Sequence, residues 1–394
     1  MADSNLLQFS YLRESTWGTT PSSAFQAIPV TGSSMAHGVE SLRSQQKRSD
    51  AQLSELKKTG EAPTASFDFE FAADIYDDFM RSAIRSDSDW STAVAVSGAT
   101  DISAVATGNK FQSSSTDFTA QNIARGQWIY VSGFTESANN GWFKVSEITD
   151  ANNLAVSCGT LTNEGSGDAI SIAGSYIWSG STEHSYTLQQ QFTDLTNRYH
   201  TMTGSRLNSF SLSQTPNGII TGSFGFDGKQ RAQATAKAGD GTVTAAASKS
   251  VASEVDGFDK VCIGGTELSL DVMELSLNVN IPNRPAKGLG NAARTRMPQG
   301  SPEVTGSITL YLDDDSWAYD TAWQNFTKQS LSFTLDMGSG ERYAFDMPSI
   351  AFTAEPQTSG GIDTDVMLQF SFAAEPSGSH GSGGDQKTLV ISRV

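Results

Sequence analysis

The chain has 394 residues, of which 37% are hydrophobic and only 18% are charged, with 36 glycines. This composition favours an all-β protein with many turns, long enough for two or three domains. The net charge of −17 argues against stable nucleic-acid binding, which needs lysine and arginine to neutralise phosphates. No apolar run approaches the roughly 18 residues of a membrane span. The N-terminus lacks the basic start and apolar stretch of a secretory signal.

The first regular elements are predicted between residues 24 and 85. Residues 24–44 read as extended chain, and the polar stretch 45–60 that follows predicts a long loop. Residues 66–71 then alternate strictly, with phenylalanines on one face and with Asp68 and Glu70 on the other. This pattern predicts a strand with one buried face. After it, Asp74 is predicted to cap a short helix.

The segment 92–175 predicts a separate small β domain. Short strand-like runs at 127–132, 142–146 and 153–157 are separated by turn-forming asparagines and a glycine. A segment of this size between two elements of another domain is best interpreted as an insertion, and insertions are tolerated at exposed loop tips. We therefore expect it to project outwards.

Two parts of the chain repeat the same order of predicted elements. Residues 60–79 and 300–319 each read as a proline-led alternating strand, an acidic turn and a short aromatic helix. Further matches follow in the same order: 185–188 with 332–335, 198–199 with 342–343, 222–226 with 369–372 and, more loosely, 30–35 with 263–268. Such a long-period repeat indicates a duplicated unit. In the second copy, the face of the strand that corresponds to Asp68 and Glu70 offers Thr309 and Tyr311.

These patterns predict a mainly β fold with two tandem sandwich or barrel units, short helices and an inserted small β domain. The predicted segments are 1–91 and 176–236 for the two parts of repeat 1, 92–175 for the insert, 237–375 for repeat 2, and 376–394 for a Gly/Ser tether with a C-terminal strand. We expect that last strand to pair with a sheet edge, either its own or a neighbour's.

No catalytic constellation is recognisable in the sequence. The histidines are scattered, and neither a phosphate-binding loop nor a nucleophile elbow is present. The acidic runs at 74–78 and 313–315 lack calcium-loop spacing, so charge at a helix N-terminus explains them better. Carboxylate pairs of the glycosidase kind stay open, because such pairs form only in space. We predict no enzymatic activity, no cofactor and no metal, with Cys158 and Cys262 as reduced thiols.

Two loops at equivalent positions of the repeats are basic within an acidic protein. The basic residues of the first loop are Arg43, Lys47, Arg48, Lys57 and Lys58. Those of the second loop, which contains no acidic residue, are Arg284, Lys287, Arg294 and Arg296. A solvated loop is one explanation. A positive patch repeated at equivalent positions fits better with docking onto an acidic face of a neighbouring copy.

The order of several segments resembles major tail tube proteins of long, non-contractile-tailed bacteriophages. The similarity begins with Tyr11-Leu-Arg-Glu-Ser-Thr-Trp-Gly-Thr-Thr-Pro21 and continues through 25–32, 69–79 and 222–226. The insert segments 126–134 and 138–145 are similar to a module of the same family. The resemblance covers about residues 8–375, and the family has no catalytic residues to transfer.

The resemblance implies subunits that stack as rings into a tube through which genome DNA passes as a transient passenger. A duplicated chain would form such a ring as a homotrimer with pseudo-sixfold symmetry. It would be assembled in the host bacterial cytoplasm and would belong to the virion tail. Implied partners are further copies of the chain, a tape measure protein, and tail terminator or distal tail proteins, with no membrane.

Within such a ring, the insert would face outwards and be dispensable for polymerisation. Asp68, Glu70, Thr309 and Tyr311 would line the lumen if their strands belong to the inner sheet, giving alternating charged and neutral sectors. An acidic outer surface that only aids solubility is the alternative for these side chains. Other candidates for the whole chain are a tail terminator, head decoration or baseplate hub protein, or a bacterial surface or pilus-like β protein, which should carry an export signal.

Overall fold

The computed structural model describes residues 3–253, 257–268, 272–314, 316–338, 340–353, 357–358, 362–363, 365–378 and 383–394. It is mainly β, as predicted. The strands before the insert are β1 (Leu7–Arg13), β2 (Phe25–Ile28), β3 (Gly32–Ala36), β4 (Val39–Arg43), β5 (Leu56–Glu61) and β6 (Thr64–Glu70), followed by helix α1 (Asp77–Ala83). The next strands are β7 (Val94–Ala99), β8 (Ile102–Val105), β9 (Lys110–Ser113), β10 (Trp128–Ser132), β11 (Gly141–Asp150), β12 (Asn153–Ser157) and β13 (Ile170–Trp178).

The remaining strands complete the first unit and build the second. They are β14 (Tyr186–Phe192), β15 (Tyr199–Gln214), β16 (Thr221–Asp227), β17 (Gln230–Ala234) and β18 (Val243–Thr244), then β19 (Phe258–Ile263), β20 (Thr266–Glu267), β21 (Val272–Asn280), β22 (Glu303–Tyr311), β23 (Gln329–Asp336), β24 (Arg342–Phe352), β25 (Gln357–Thr358), β26 (Met367–Ala374) and β27 (Val390–Arg393), with helix α2 (Trp317–Gln324) after β22. Short 3₁₀ turns cover Ser4–Leu6, Phe118–Ala120, Ser137–Asn139 and Gly384–Gln386.

Unit 1 is a sandwich of two antiparallel sheets with an aromatic core. In one sheet β2, β1, β14 and the first half of β15 lie side by side, with β17 on the far edge. The other sheet runs β3, β6, β16 and the second half of β15. The predicted alternation of β6 is confirmed, because Phe67 and Phe69 are buried while Asp68 is exposed. The Phe67 ring lies 5.2 Å from Phe79 of α1 and 5.3 Å from Phe224 of β16.

Unit 2 has the same succession of strand pairs. The pairs β19–β23, β23–β24, β24–β26, β26–β22 and β22–β21 correspond to β1–β14, β14–β15, β15–β16, β16–β6 and β6–β3. A serine pair recurs as well: the hydroxyls of Ser34 and Ser66 lie 3.0 Å apart, and those of Ser276 and Ser307 lie 2.8 Å apart. Strand β3 therefore shares its pairing position with β21. The loose sequence match of 30–35 with 263–268 is not reproduced by the pairing.

The two units join through one continuous sheet. The second half of β15 pairs antiparallel with β21, from Ser209 opposite Asn280 to Gln214 opposite Leu275. The result is a seven-stranded sheet in the order β3-β6-β16-β15-β21-β22-β26. Its core face merges with the buried cluster of both units.

The insert forms its own sheet, in the order β7-β13-β10-β11-β12-β9-β8, around a separate buried cluster. It packs on the β19-β23-β24-β27 sheet of unit 2 through a small cluster that includes Trp128 and Trp142 from the insert and Ala344 from unit 2. The core-facing residues of that unit 2 sheet, such as Phe333 and Phe345, belong to the main cluster. The insert therefore lies on the opposite side of the unit 2 sandwich from the seven-stranded sheet.

The C-terminal strand β27 pairs with two elements of its own chain, β24 of unit 2 and β13 of the insert. Arg393 from this strand forms ion pairs with Asp74 and Asp77. The prediction that Asp74 caps α1 is wrong: the residue before the helix is Tyr76, and Asp74 has a left-handed φ of 61° and binds Arg393 instead. Among the described residues, no helix is long and apolar enough to span a membrane.

Candidate functional surface

The solvent side of the seven-stranded sheet is lined almost entirely by small polar residues. Because neighbouring strands are in register, these side chains form rows across both units; one row runs Ser66, Gly225, Ser209 and Asn280. We call this surface the polar face. Its residues are Gly32, Ser34, Ala36, Thr64, Ser66, Asp68, Glu70, Ser209, Ser211, Ser213, Thr221, Ser223, Gly225, Glu274, Ser276, Asn278, Asn280, Glu303, Thr305, Ser307, Thr309, Tyr311, Met367, Gln369, Ser371 and Ala373.

Hydrogen bonds between paired hydroxyls give this face a low relief. The Oγ atoms of Ser211 and Ser223 lie 2.8 Å apart, the same separation as between Ser276 and Ser307. A short side chain whose hydroxyl is already paired offers a phosphate or a base little to bind. Over both units, the paired hydroxyls of this face therefore offer few free hydrogen-bonding groups to a nucleic acid.

The net charge on the polar face is negative. Its carboxylates are Asp68, Glu70, Glu274 and Glu303. At one edge of the face, the row of Thr64 continues into Asp227 and Arg206, which lie opposite each other. Burial, and to a lesser degree the nearby Glu70 carboxylate, raises the pKa of Tyr76 on the core side of this region. A like charge repels the phosphates of a nucleic acid held close to it.

The four side chains that the sequence singled out share this face. Asp68 lies opposite Ser223, Glu70 opposite Thr221, Thr309 opposite Gln369 and Tyr311 opposite Met367, and all four project away from the core. Two further carboxylates on this face, both in unit 2, were not predicted from the sequence. Glu274 lies opposite Thr309, and Glu303 lies opposite Asn280. The signal for this strand was present, because residues 275–281 alternate apolar and polar side chains.

Most of the sequence follows one known family pattern. The model of the phage tail tube protein family matches residues 4–374. The chain belongs to this family. The assignment identifies it as a structural component of a phage tail and indicates a structural rather than a catalytic role. Comparison with curated proteins finds no match.

In this tail tube protein the basic loop of unit 2 is docked on unit 1. Lys287 forms an ion pair with Glu40. The buried Arg294 donates to the Gly228 carbonyl at 2.9 Å and lies 3.4 Å from an Asp227 carboxylate oxygen. Thus two of the four predicted basic residues of this loop contact acidic residues of the neighbouring unit.

The other two basic side chains of the unit 2 loop are exposed. Backbone bonds hold this loop together at both residues: the Arg284 N–H donates to Pro298 O at 2.9 Å, and Arg296 forms a β-bridge with Ala286. The loop is further fixed to unit 1 where the Gln299 side chain donates to the Leu207 carbonyl at 2.8 Å.

The basic loop of unit 1 is a two-stranded hairpin, β4–β5, that projects from the sandwich. Three of its basic residues form local ion pairs: Arg48 binds Asp50, Lys57 binds Glu55 and Lys58 binds Glu61. Arg43 and Lys47 are exposed. The hairpin also exposes large apolar side chains, namely Val39, Leu42, Leu53 and Leu56. Exposed apolar side chains beside basic ones are typical of a surface that another protein covers.

At the two ends of this sheet, the outermost strand edges have no partner in the described part of the tail tube protein. One is the outer edge of β3, whose counterpart β21 pairs with β15. The other is the outer edge of β25. The end of β24 and then β25 pair with β26, just as the second half of β15 pairs with β16. Unpaired edges of this kind are templates for pairing with another chain.

Proposed function

We propose that this protein is the duplicated subunit of a phage tail tube, of the long non-contractile type. Three chains close into a ring with pseudo-sixfold symmetry, and rings stack into the tube through which genome DNA is delivered. The observation that carries the proposal is the β15–β21 junction, because it joins two like units with a definite geometry and leaves the same two edges unused at the ends of the chain.

The junction inside one chain serves as the template for the junction between chains. Within the chain, the outer edge of β15 in unit 1 pairs with β21 of unit 2. The corresponding edge in unit 2 is that of β24–β25. Among the described strands, the equivalent of β21 that is left to pair with this edge is β3 of another copy. Head-to-tail interfaces close into rings when the rotation between successive units permits. Repetition of one rotation over six units gives three chains.

The β4–β5 hairpin takes part in the same interface between chains. The unit 2 loop covers the end of unit 1 with Lys287 and Arg294, so the hairpin covers the equivalent end of unit 2 in the preceding chain. Its basic residues and exposed leucines then become buried or paired across the interface. This is the proposed role of Arg43, Lys47, Arg48, Lys57 and Lys58.

The polar face becomes the wall of the channel. Asp68, Glu70, Thr309 and Tyr311 line the lumen, and Glu274 and Glu303 make the unit 2 sectors negative as well, instead of the neutral sectors expected from the sequence. At physiological salt the Debye length is about 8 Å, so repulsion acts near the wall and keeps phosphates from adhering. The insert, on the far side of the unit 2 sandwich, faces outwards.

The tube is assembled in the host cytoplasm and resides in the virion tail, in contact with a tape measure protein inside and with terminator and distal tail proteins at its ends. DNA is a passenger rather than a ligand. The carboxylate wall and the hydroxyl pairs support this, since neither provides a cation for phosphate.

Proline substitution on β3 tests ring closure. The backbone amides of adjacent residues point to opposite edges of a strand, so Ser33→Pro and Ser34→Pro remove donors from different edges. One variant should lose β3–β6 pairing and stability. The other should fold as a monomer with wild-type stability yet fail to form trimers and tubes, scored by native mass spectrometry and negative-stain microscopy.

Three results would contradict the proposal. Wild-type protein that stays monomeric under all assembly conditions would contradict the proposed ring. Rings of six chains would contradict the proposed trimer with pseudo-sixfold symmetry. Normal tubes from both proline variants would show that β3 is not the closing edge.

A further inference from the structure

The insert and unit 2 meet at a pair of cysteines. Cys158 follows the last residue of β12 in the insert, and Cys262 lies in β19 of unit 2; both are buried in the cluster that contains Trp128 and Trp142. The two cysteine side chains pack into this one small cluster together with Trp128, Trp142 and Ala344. The Cys158 backbone N–H also donates to the Gly265 carbonyl at 3.2 Å, in the turn that follows β19.

Other contacts between the insert and unit 2 hold the interface around this cluster. Lys144 of the insert lies 2.7 Å from a buried Asp346 carboxylate oxygen on β24. The Arg342 guanidinium lies 4.0 Å from the centre of the Tyr130 ring. Among the described residues, no group of three or more potential metal ligands is present, so the pair is not part of a larger metal-binding cluster there.

We propose that Cys158 and Cys262 are a latent disulfide that locks the insert onto unit 2. A thiolate of the pair attacks a small-molecule disulfide such as glutathione disulfide, forms a mixed disulfide and expels one glutathione thiolate. The second cysteine loses its proton and attacks the mixed disulfide, expelling the second glutathione. Two protein thiols are oxidised to one disulfide, and one glutathione disulfide is reduced to two glutathione molecules, so atoms and electrons balance.

The environment makes this reaction slow while the interface stays closed. The side-chain interaction with Cys158, together with burial, raises the pKa of Cys262 far above its ordinary value, and only the thiolate is the nucleophile. Oxidation should therefore accelerate at higher pH and under mild denaturant, both of which increase exposed thiolate.

The biological timing rests on the proposed function. In the reducing cytoplasm the thiols persist during assembly, and in the oxidising medium around a released virion they become a cross-link. The cross-link joins residues 158 and 262, between which lies the second part of unit 1, and disulfides that close long loops restrict the unfolded chain most.

The test uses the full-length protein, first reduced and then exposed to glutathione disulfide at pH 8.5 to 9, roughly the ordinary pKa range of a thiol, with and without mild urea. The expected product is lighter by two hydrogen atoms, yields a peptide pair linked through Cys158 and Cys262 after non-reducing digestion, and melts on the order of 5 °C higher than the reduced form. Cys262→Ser and Cys158→Ser are the matched controls, and each should gain at most one glutathione without a melting shift.

Other products would overturn the proposal. Two glutathione adducts on one wild-type chain, a disulfide between two chains, or no reaction even in urea would each show that the two sulfurs do not meet. Tube formation is scored separately on the same samples, so failure of the cross-link and failure of the tube are distinguishable.

Discussion

The buried ion pair between Lys144 and Asp346 offers the sharpest test of how the insert is attached. The Lys144 ammonium lies 2.7 Å and 2.9 Å from the two carboxylate oxygens of Asp346, whose side chain is 0% exposed, against 12% for Lys144. Asp346 also accepts a hydrogen bond from the Ser332 hydroxyl. Lys144→Met preserves length and apolar volume but removes the charge, and it leaves a carboxylate inside the interface with one neutral donor.

The magnitude follows from that burial. Removal of one partner of a buried pair typically costs about 3–5 kcal/mol, because the remaining charge is neither solvated nor paired. Asp346→Asn should cost less, since Lys144 keeps partial contact with water. The double variant Lys144→Met/Asp346→Asn should recover at least about 2 kcal/mol relative to the sum of the single changes.

Tryptophan fluorescence during urea unfolding is the assay, because Trp128 and Trp142 are buried in the cluster beside this pair. Lys57→Met on the exposed hairpin is the control, because its partner Glu55 is exposed and surface pairs contribute only about 0–1 kcal/mol. If Lys144→Met lies within about 1 kcal/mol of wild type, Asp346 is hydrated and the interface is not closed as described.

Three further outcomes are expected. Burial lowers the pKa of His184 to about 4, so its folded form is neutral, and stability present above pH 6.5 should fall by about 2–3 kcal/mol towards pH 4.5; denaturation of His184→Asn across this range should show a smaller loss. Gly306→Ala should destabilise the protein by about 1–3 kcal/mol, measured by urea unfolding, because the new Cβ would clash with the Ser276 carbonyl oxygen and with the Phe372 ring. Asp68→Lys tubes should retain labelled oligonucleotide in co-sedimentation at low salt and release it at high salt, whereas Glu147→Lys on the exposed insert surface should not.

Local patterns in the sequence were sufficient for strongly alternating strands, but not for β5, which begins at Leu56 inside the stretch predicted as a loop. Alternation of phenylalanine with acidic residues predicted β6 and the buried face it presents, and the mainly β class followed from composition and turn residues. The prediction that Asp74 caps α1 failed for a non-local reason, because its partner is Arg393 at the other end of the chain. Local spacing cannot reveal a competitor so far away in sequence.

The candidate surface was predictable only in part. The alternation of side chains along each strand was enough to predict one shared face for Asp68, Glu70, Thr309 and Tyr311, and they do share a face. That this face continues across both units depends on the β15–β21 pairing, which joins segments far apart in sequence. Parity within one strand carries no information about which other edge it meets.

The C-terminal strand shows how one sheet position can serve two purposes. In unit 1, β17 follows β16 almost directly and pairs with the first half of β15; in unit 2, β27 takes the corresponding place on β24 after a longer connection. The other edge of β27 pairs with β13 of the insert, and Leu389, Val390 and Ile391 are fully buried. The strand lies beyond the family match, which ends at residue 374. A terminal strand that completes unit 2 and also holds the insert gives the inserted domain a fixed orientation on the side of unit 2 opposite the seven-stranded sheet, without altering the sheet proposed to form the channel.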